Sequence, residues 1–359
     1  MTHKAFLHIG PPKTGTTYLQ SLLHQNRQLL RSKGLLVVRR SKQQYEAASE
    51  VTQKKPARAS SVPQGIWSQL VKDVLHFDGN AVLSHERYSL ATAEQNERMR
   101  DDLADRELHV IFTLRDLTGV VSADWQESVK NGSASTWAEF CKAAIADDAK
   151  VLRNRTRALR SMRAWSKVLP PEQVHVVTVP PSGAPRELLW ERFCSALGVD
   201  PDGTSTEQPR GNQSMGQVEV ELIRRINELP ESELSVHDRR PELKHFLAEE
   251  VLNRREDKTR VSIDHDTFKA ARRESRAIAR EIDKLGFQVI GDLGDLSASK
   301  FKDAGPDANA VSDAELIDAA VDAIAALSRR SAARGRKIAK LEGETETLMQ
   351  KLSRKAKSD

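Results

Sequence analysis

The chain has 359 residues, 38% of them hydrophobic and 30% charged, with a formal net charge of +5. That length exceeds an ordinary single domain, and so polar a composition points to exposed helical surface outside the core. The charge is too small for the length to argue for nucleic acid as a partner, yet it suits a protein whose ligands are polyanions.

The first predicted element is a buried strand over Ala5 to Ile9, reached directly from the N-terminus. No leader pattern precedes it and no apolar run reaches about 18 residues, so a cytoplasmic location without a membrane span is expected. The strand breaks at Gly10, and a Pro/Gly loop leads into a helix over 16–33 that carries Tyr18, Leu19, Leu22 and Leu23. Gly34 precedes a short strand, Leu35 to Val38, after which residues 39–64 read as a long polar excursion. A helix near 65–76 leads to the strand Ala81 to Ser84, and a further helix leads to Leu108 to Leu114, the clearest strand of the chain. A helix from about Thr118 through Val129 follows, then the β-branched strand Val174 to Val179, closed by Pro180 and Pro181. Later helices fall over 218–226 and 267–285, the last before the short apolar run Phe287 to Ile290.

Continuous apolar strands alternating with helices predict an α/β fold with a parallel sheet covered on both faces. The predicted organisation is a domain over 1–293, a linker over 294–312 and a long amphipathic helix over 313–359. In that helix Ile317, Ala320, Ile324, Leu327, Ser331, Arg334, Ile338, Leu341, Thr345, Leu348 and Leu352 keep a 3/4 spacing with a polar middle. The spacing fits a coiled coil that pairs chains, or a lone helix folded onto its own domain.

Ligands of such folds sit beyond the carboxyl ends of the strands, so the residues after each strand are the candidates. The loop Gly10-Pro11-Pro12-Lys13-Thr14-Gly15-Thr16-Thr17 offers backbone N–H groups and a helix start to an anion. Its two glycines keep the spacing of a nucleoside-triphosphate loop, but Thr16 stands where that loop has lysine, and the cation is Lys13 inside the loop. After the strand at 108–114, the guanidinium of Arg115 and the hydroxyl of Ser122 on the next helix suit a phosphate. After the strand at 81–84 come His85 and Glu86, either able to take a proton. His8, His109 and His175 lie on strands and are expected as satisfied core or sheet-face histidines. Cys141 and Cys194 fall in apolar helical patterns without metal-ligand spacing, so reduced core thiols and no metal are expected. The arginines 153, 155, 157, 160 and 163 do not keep to one helix face and read as solvated surface.

The string His8-Ile9-Gly10-Pro11-Pro12-Lys13-Thr14-Gly15-Thr16-Thr17-Tyr18-Leu19-Gln20 resembles the bacterial branch of the sulfotransferases that use 3′-phosphoadenosine 5′-phosphosulfate (PAPS). The resemblance spans about residues 1–290 and is strongest at 6–20 and 109–132. It implies a P-loop fold and transfer of a sulfuryl group to a hydroxyl or amine of a glycan, glycolipid or small hydroxylated metabolite. It further implies that Pro12, Lys13, Thr14, Gly15, Thr16 and Thr17 hold the 5′-phosphosulfate. Arg115 and Ser122 would hold the 3′-phosphate, with Lys13 and Glu86, or His85, acting in transfer. The family more often shows Arg-Asp-Pro with the serine eight residues after the arginine; here the string is Arg-Asp-Leu and the serine stands seven on. A late basic glycine loop closes the family's nucleotide site, and Arg210-Gly211-Asn212 lies in a corresponding place, making Arg210 and Asn212 candidates. A P-loop kinase is the alternative enzyme, lacking here the lysine after the second glycine and a lone acid at the strand end. A non-catalytic protein acting through its C-terminal helix, with a possible homo-oligomer, is the alternative outside catalysis.

Overall fold

The computed structural model describes residues 2–54, 61–146, 153–207, 215–230, 232–235, 239–256, 258–305 and 309–355. It is an α/β structure built on a six-stranded sheet. The strands are β1 (Lys4–His8), β2 (Leu35–Val37), β3 (Asn80–Ser84), β4 (Glu107–Leu114), β5 (Val174–Thr178) and β6 (Gln288–Ile290). They lie in the order β2-β3-β1-β4-β5-β6, and every neighbouring pair is parallel.

Register explains the burial. Side chains alternate along a strand, so Phe6, Val82, Ile111 and Val177 share one face, where they join Leu19, Leu22, Leu23, Trp190 and Phe193 in a single core. The helices α1 (Thr16–Gln25) and α9 (Leu188–Leu197) supply those residues, and α2 (Arg27–Ser32) adds Leu30 to the same core. Leu7, Leu83, Val110, Phe112 and Val176 point to the other face and are also fully buried. A sheet buried on both faces calls for near-continuous apolar strands, which is the pattern the central strands carry over most of their length.

Three helical expectations change. The helix over 16–33 breaks at Asn26, whose side chain donates to Leu22 O at 2.9 Å and to Ser205 O at 2.9 Å. The polar excursion contains a helix, α3 (Ser41–Val51), with Gln44, Ala47, Ala48 and Glu50 buried. Glu50 accepts from the N–H groups of Gly65 at 3.0 Å and Trp67 at 2.9 Å, capping α4 (Ile66–His76). The segment after β4 starts as a single 3₁₀ turn, Leu117–Gly119, before α6 (Val121–Lys130). Between these elements lie α5 (Ala93–Asp102), α7 (Trp137–Ile145) and α8 (Arg153–Trp165).

The domain boundaries also change. The chain forms two compact units, one of residues 1–125, 136–211 and 262–304, the other of 126–135, 212–261 and 305–359. The first contains the whole sheet and α11 (His265–Leu285). It also takes in the first part of the expected linker, because Asp295 is bonded to Arg192 at 2.6 Å and to Thr178 Oγ1 at 2.7 Å, and Leu296 is buried. The second unit contains α10 (Gln217–Asn227), a π-type segment over Arg240–Val251 and the long α12 (Asp313–Lys355). Helix α12 packs on α10 through Leu316, Ala319, Ala323 and Ala326, one position off the expected seam. The seam itself is exposed at Ile317, Ile324, Leu327, Ile338, Leu341 and Leu348. Among the described residues no helix is long and apolar enough to cross a membrane.

Candidate functional site

Strand β1 is where the sheet reverses its order of assembly: β3 lies on one side of it and β4 on the other. The crevice beyond the carboxyl end of such a strand is the favoured ligand position of an open parallel sheet. Pairing continues past β1 on both sides, with Ile9 N–H donating to Ile111 O at 2.9 Å and His85 N–H to His8 O at 3.1 Å. The loop 10–15, the pair His85-Glu86 and Arg115 therefore follow three adjacent strands of one unit.

The loop has to be built from these residues. A Cβ at Gly10 would collide with Thr113 Oγ1, so no side chain fits there. Gly15 has φ +83°, and a Cβ would come within 2.7 Å of Leu189 Cδ2. Lys13 takes φ +69° although it is not glycine, a backbone state that costs an L-residue about 1–2 kcal/mol. Such strain persists only where the surroundings fix it. Helix α1 then starts with no capping side chain and no acid in its first turn, so nothing in that turn offsets its partial positive end.

Beneath the loop runs a chain of buried polar groups. His8, Ser84 and Thr113 share the core face of the sheet at its carboxyl end. Thr14 Oγ1 donates to Pro11 O at 2.6 Å and lies 2.9 Å from Thr113 Oγ1. Thr113 Oγ1 is 3.3 Å from His8 Nε2, and His8 Nδ1 is 2.7 Å from Ser84 Oγ. Donor accounting gives one consistent direction. With its proton on Pro11, Thr14 accepts from Thr113, which accepts from His8 Nε2–H, and His8 Nδ1 accepts from Ser84. A neutral imidazole suits this chain, and burial, with the charge of His85 adding, pushes His8 down to about 3. His8 is thus a satisfied core histidine, as expected.

Arg115 is exposed at the end of β4, its guanidinium lying over the open side of Gly119, three residues before Ser122 in the first turn of α6. Asp116 is buried and locks this turn, accepting from Thr118 N–H at 2.9 Å, Thr118 Oγ1 at 2.8 Å and Ser299 N–H at 3.0 Å. At the end of β3, His85 Nδ1 accepts from Arg87 N–H at 3.0 Å, which leaves the ring proton on Nε2. Burial lowers the pKa of His85, Glu86 opposes this and Arg87 adds to it. Glu86 stands 3.8 Å from His85 Nδ1 and accepts from Gln20 Nε2 at 3.4 Å, which links the carboxylate to α1.

The structure thus gathers Pro12, Lys13, Thr14, Gly15, Thr16, Thr17, His85, Glu86, Arg115 and Ser122 around the ends of three neighbouring strands. Within this set Thr14 and Thr16 are buried and Thr17 is exposed. Arg210 and Asn212 lie outside the described residues. His109 and His175 stack at 5.1 Å nearer the amino ends of β4 and β5, apart from this site. His109 Nε2 lies 3.0 Å from Glu107, and His109 Nδ1 lies 2.8 Å from His175 Nε2. The sequence reading overlooked Thr113 as a site residue. Its signal was one polar residue near the end of each central strand: His8, Ser84 and Thr113. Among the described residues no group of His, Cys, Asp and Glu could hold a metal ion. Comparison with family models, curated proteins and solved structures finds no match to this chain.

Proposed function

We propose that this chain is a sulfotransferase with a P-loop-type sheet, moving a sulfuryl group from PAPS to a hydroxyl or amine. The observation that carries the reading is a pair of anion-ready positions after neighbouring strands: the glycine-built loop with Lys13 after β1, and Arg115 with Ser122 after β4. A 3′,5′-bisphosphate spans two such positions, whereas a nucleoside diphosphate has both phosphates on one side of its ribose. The uncapped start of α1 suits the 5′-phosphosulfate.

In the proposed reaction the acceptor oxygen or nitrogen forms a bond to sulfur as the bond from sulfur to the bridging phosphate oxygen breaks. Glu86 takes the acceptor's proton, with His85 as the alternative base. Lys13 neutralises charge that develops on the bridging oxygen, and 3′-phosphoadenosine 5′-phosphate (PAP) leaves. Developing charge next to a fixed cation is where a single group has its largest effect on rate.

Calorimetry with PAP, ADP and ATP in EDTA tests the reading, and PAP is expected to bind most tightly. Equal affinity for ADP would sink it. Mass spectrometry of cell extract incubated with sulfur-labelled donor would then identify the acceptor.

A further inference from the structure

Helix α11 carries a second cationic feature, separate from the loop and Arg115. Lys269, Arg272, Arg276 and Arg280 recur every three or four residues, so they form one stripe about 16 Å long. The stripe and Lys300 line a cavity of about 570 Å³, with Phe268 and Phe301 among its other lining residues. The opposite side of α11 is buried through Ala270, Ala271, Ser275, Ile278 and Ile282, which fixes the stripe outward.

Among the described residues the stripe has no acidic partner. Arg273, beside the stripe, has Glu274 at 2.9 Å. For Lys269, Arg272, Arg276, Arg280 and Lys300 no carboxylate lies within ion-pair distance among the described residues. The Nε of Arg272 is moreover buried without a hydrogen-bond partner. Like charges one turn apart destabilise a helix, so five of them around one cavity disfavour the unliganded state and favour a ligand with several negative charges.

The rings narrow the class. Single-stranded nucleic acid needs bare aromatic faces for its bases. Phe268 is only 5% exposed, and Phe301 already has Phe268 at 5.5 Å and His265 at 4.9 Å as ring neighbours. A polymer whose charges recur along its backbone, without bases to stack, matches a cation ladder better. We propose that this groove binds a linear acidic polysaccharide carrying sulfate or carboxylate groups. Its walls are tied to the residues that follow Arg115. Leu117 N–H donates to Ser275 Oγ at 3.0 Å, and Ser299, beside Lys300, holds Asp116. The binding assignment stands on the groove alone; that the polysaccharide is also the sulfuryl acceptor rests on the transfer reading above.

The test is calorimetry of the full chain with a heparin decasaccharide and with a ten-residue thymidine oligonucleotide, at 50 and 200 mM salt. The oligosaccharide is expected to bind, losing about tenfold or more in affinity across that salt range. Arg276→Glu with Arg280→Glu should weaken it at least about tenfold, leaving PAP binding unchanged. The pair Arg336→Glu and Lys337→Glu makes the same change in net charge on exposed α12 and should have little effect. Arg276→Lys with Arg280→Lys should retain binding, and thermal melting checks that each variant folds. No oligosaccharide binding, equal losses in the two charge-reversed variants, or equally tight oligonucleotide binding would each overturn the proposal. Oligosaccharide binding without PAP binding would leave the groove standing and remove the transfer reading; the opposite pattern would do the reverse.

Discussion

The hydrogen-bond chain from Ser84 through His8, Thr113 and Thr14 to Pro11 O couples the ends of three strands to the candidate loop. His8→Phe should remove a donor and an acceptor from this dry place, leaving hydroxyls unsatisfied at a cost of about 1–3 kcal/mol each. Urea unfolding at pH 7 measures that loss. The same residue sets a pH dependence. The folded protein holds His8 down at about 3, whereas an unfolded histidine titrates near 6.5. Below pH 6.5 the unfolded chain binds the extra proton, so the stability present above that pH is lost as pH falls toward about 3. His8→Phe should therefore unfold with a shallower loss between pH 7 and pH 5 than the wild type. Equal slopes would mean that His8 is not held neutral by burial. At the loop, Lys13→Ala should cost about 3–4 kcal/mol of transition-state stabilisation, roughly 10²–10³ in rate, while the fold stays intact. Arg115→Ala should act mainly on nucleotide affinity. Near-normal donor turnover by Lys13→Ala would rule out the loop chemistry. The loop was legible in the sequence because glycine, proline and lysine at fixed offsets carry local meaning. The proton chain beneath it was not, because it joins residues up to 105 positions apart.

At the scale of elements, what could be read was what apolar residues specify. The parallel sheet follows from strands that are apolar along most of their length, and the burial of β1, β3 and β4 on both faces agrees with that pattern. Helix α3 escaped because its buried side includes Gln44, Ala47, Ala48 and Glu50, which hydropathy cannot tell from solvent-facing residues. The end of the sheet escaped for a related reason. Residues 294–297 look like linker, yet Asp295 is a largely buried partner of Arg192, and Arg192 also donates to Thr178 O at 2.9 Å. Breaking a buried pair by removing one member strands the other charge, at about 3–5 kcal/mol. Asp295→Ala should therefore lower the thermal midpoint of the sheet unit markedly, as differential scanning calorimetry would record. A midpoint unchanged from the wild type would return this segment to the linker that its composition suggests.

At the scale of the molecule, α12 has two faces with different uses. Its inner face holds the second unit together through Leu316, Ala319, Ala323 and Ala326. Arg330 adds an ion pair to Glu242 at 3.3 Å and lies over the Phe246 ring at 3.9 Å; Arg334 pairs with the same carboxylate at 3.0 Å. The polar interruption of the seam is thus partly explained: it is where the helix is bonded to its own unit. Beyond it, Ile338, Leu341, Leu348 and Met349 are all more than half exposed. An apolar stripe with no covering surface is costly in water and is relieved by a second helix. A chain ended after Arg336 keeps every anchoring contact named here and loses that part of the stripe. It should bind PAP as the full chain does, since the loop after β1, Arg115 and Ser122 belong to the other unit. It should also self-associate less than the full chain at micromolar concentration, as light scattering measures. Equal monomer masses for both would show that the exposed half of α12 does not pair with a second copy, and the oligomer reading would fall.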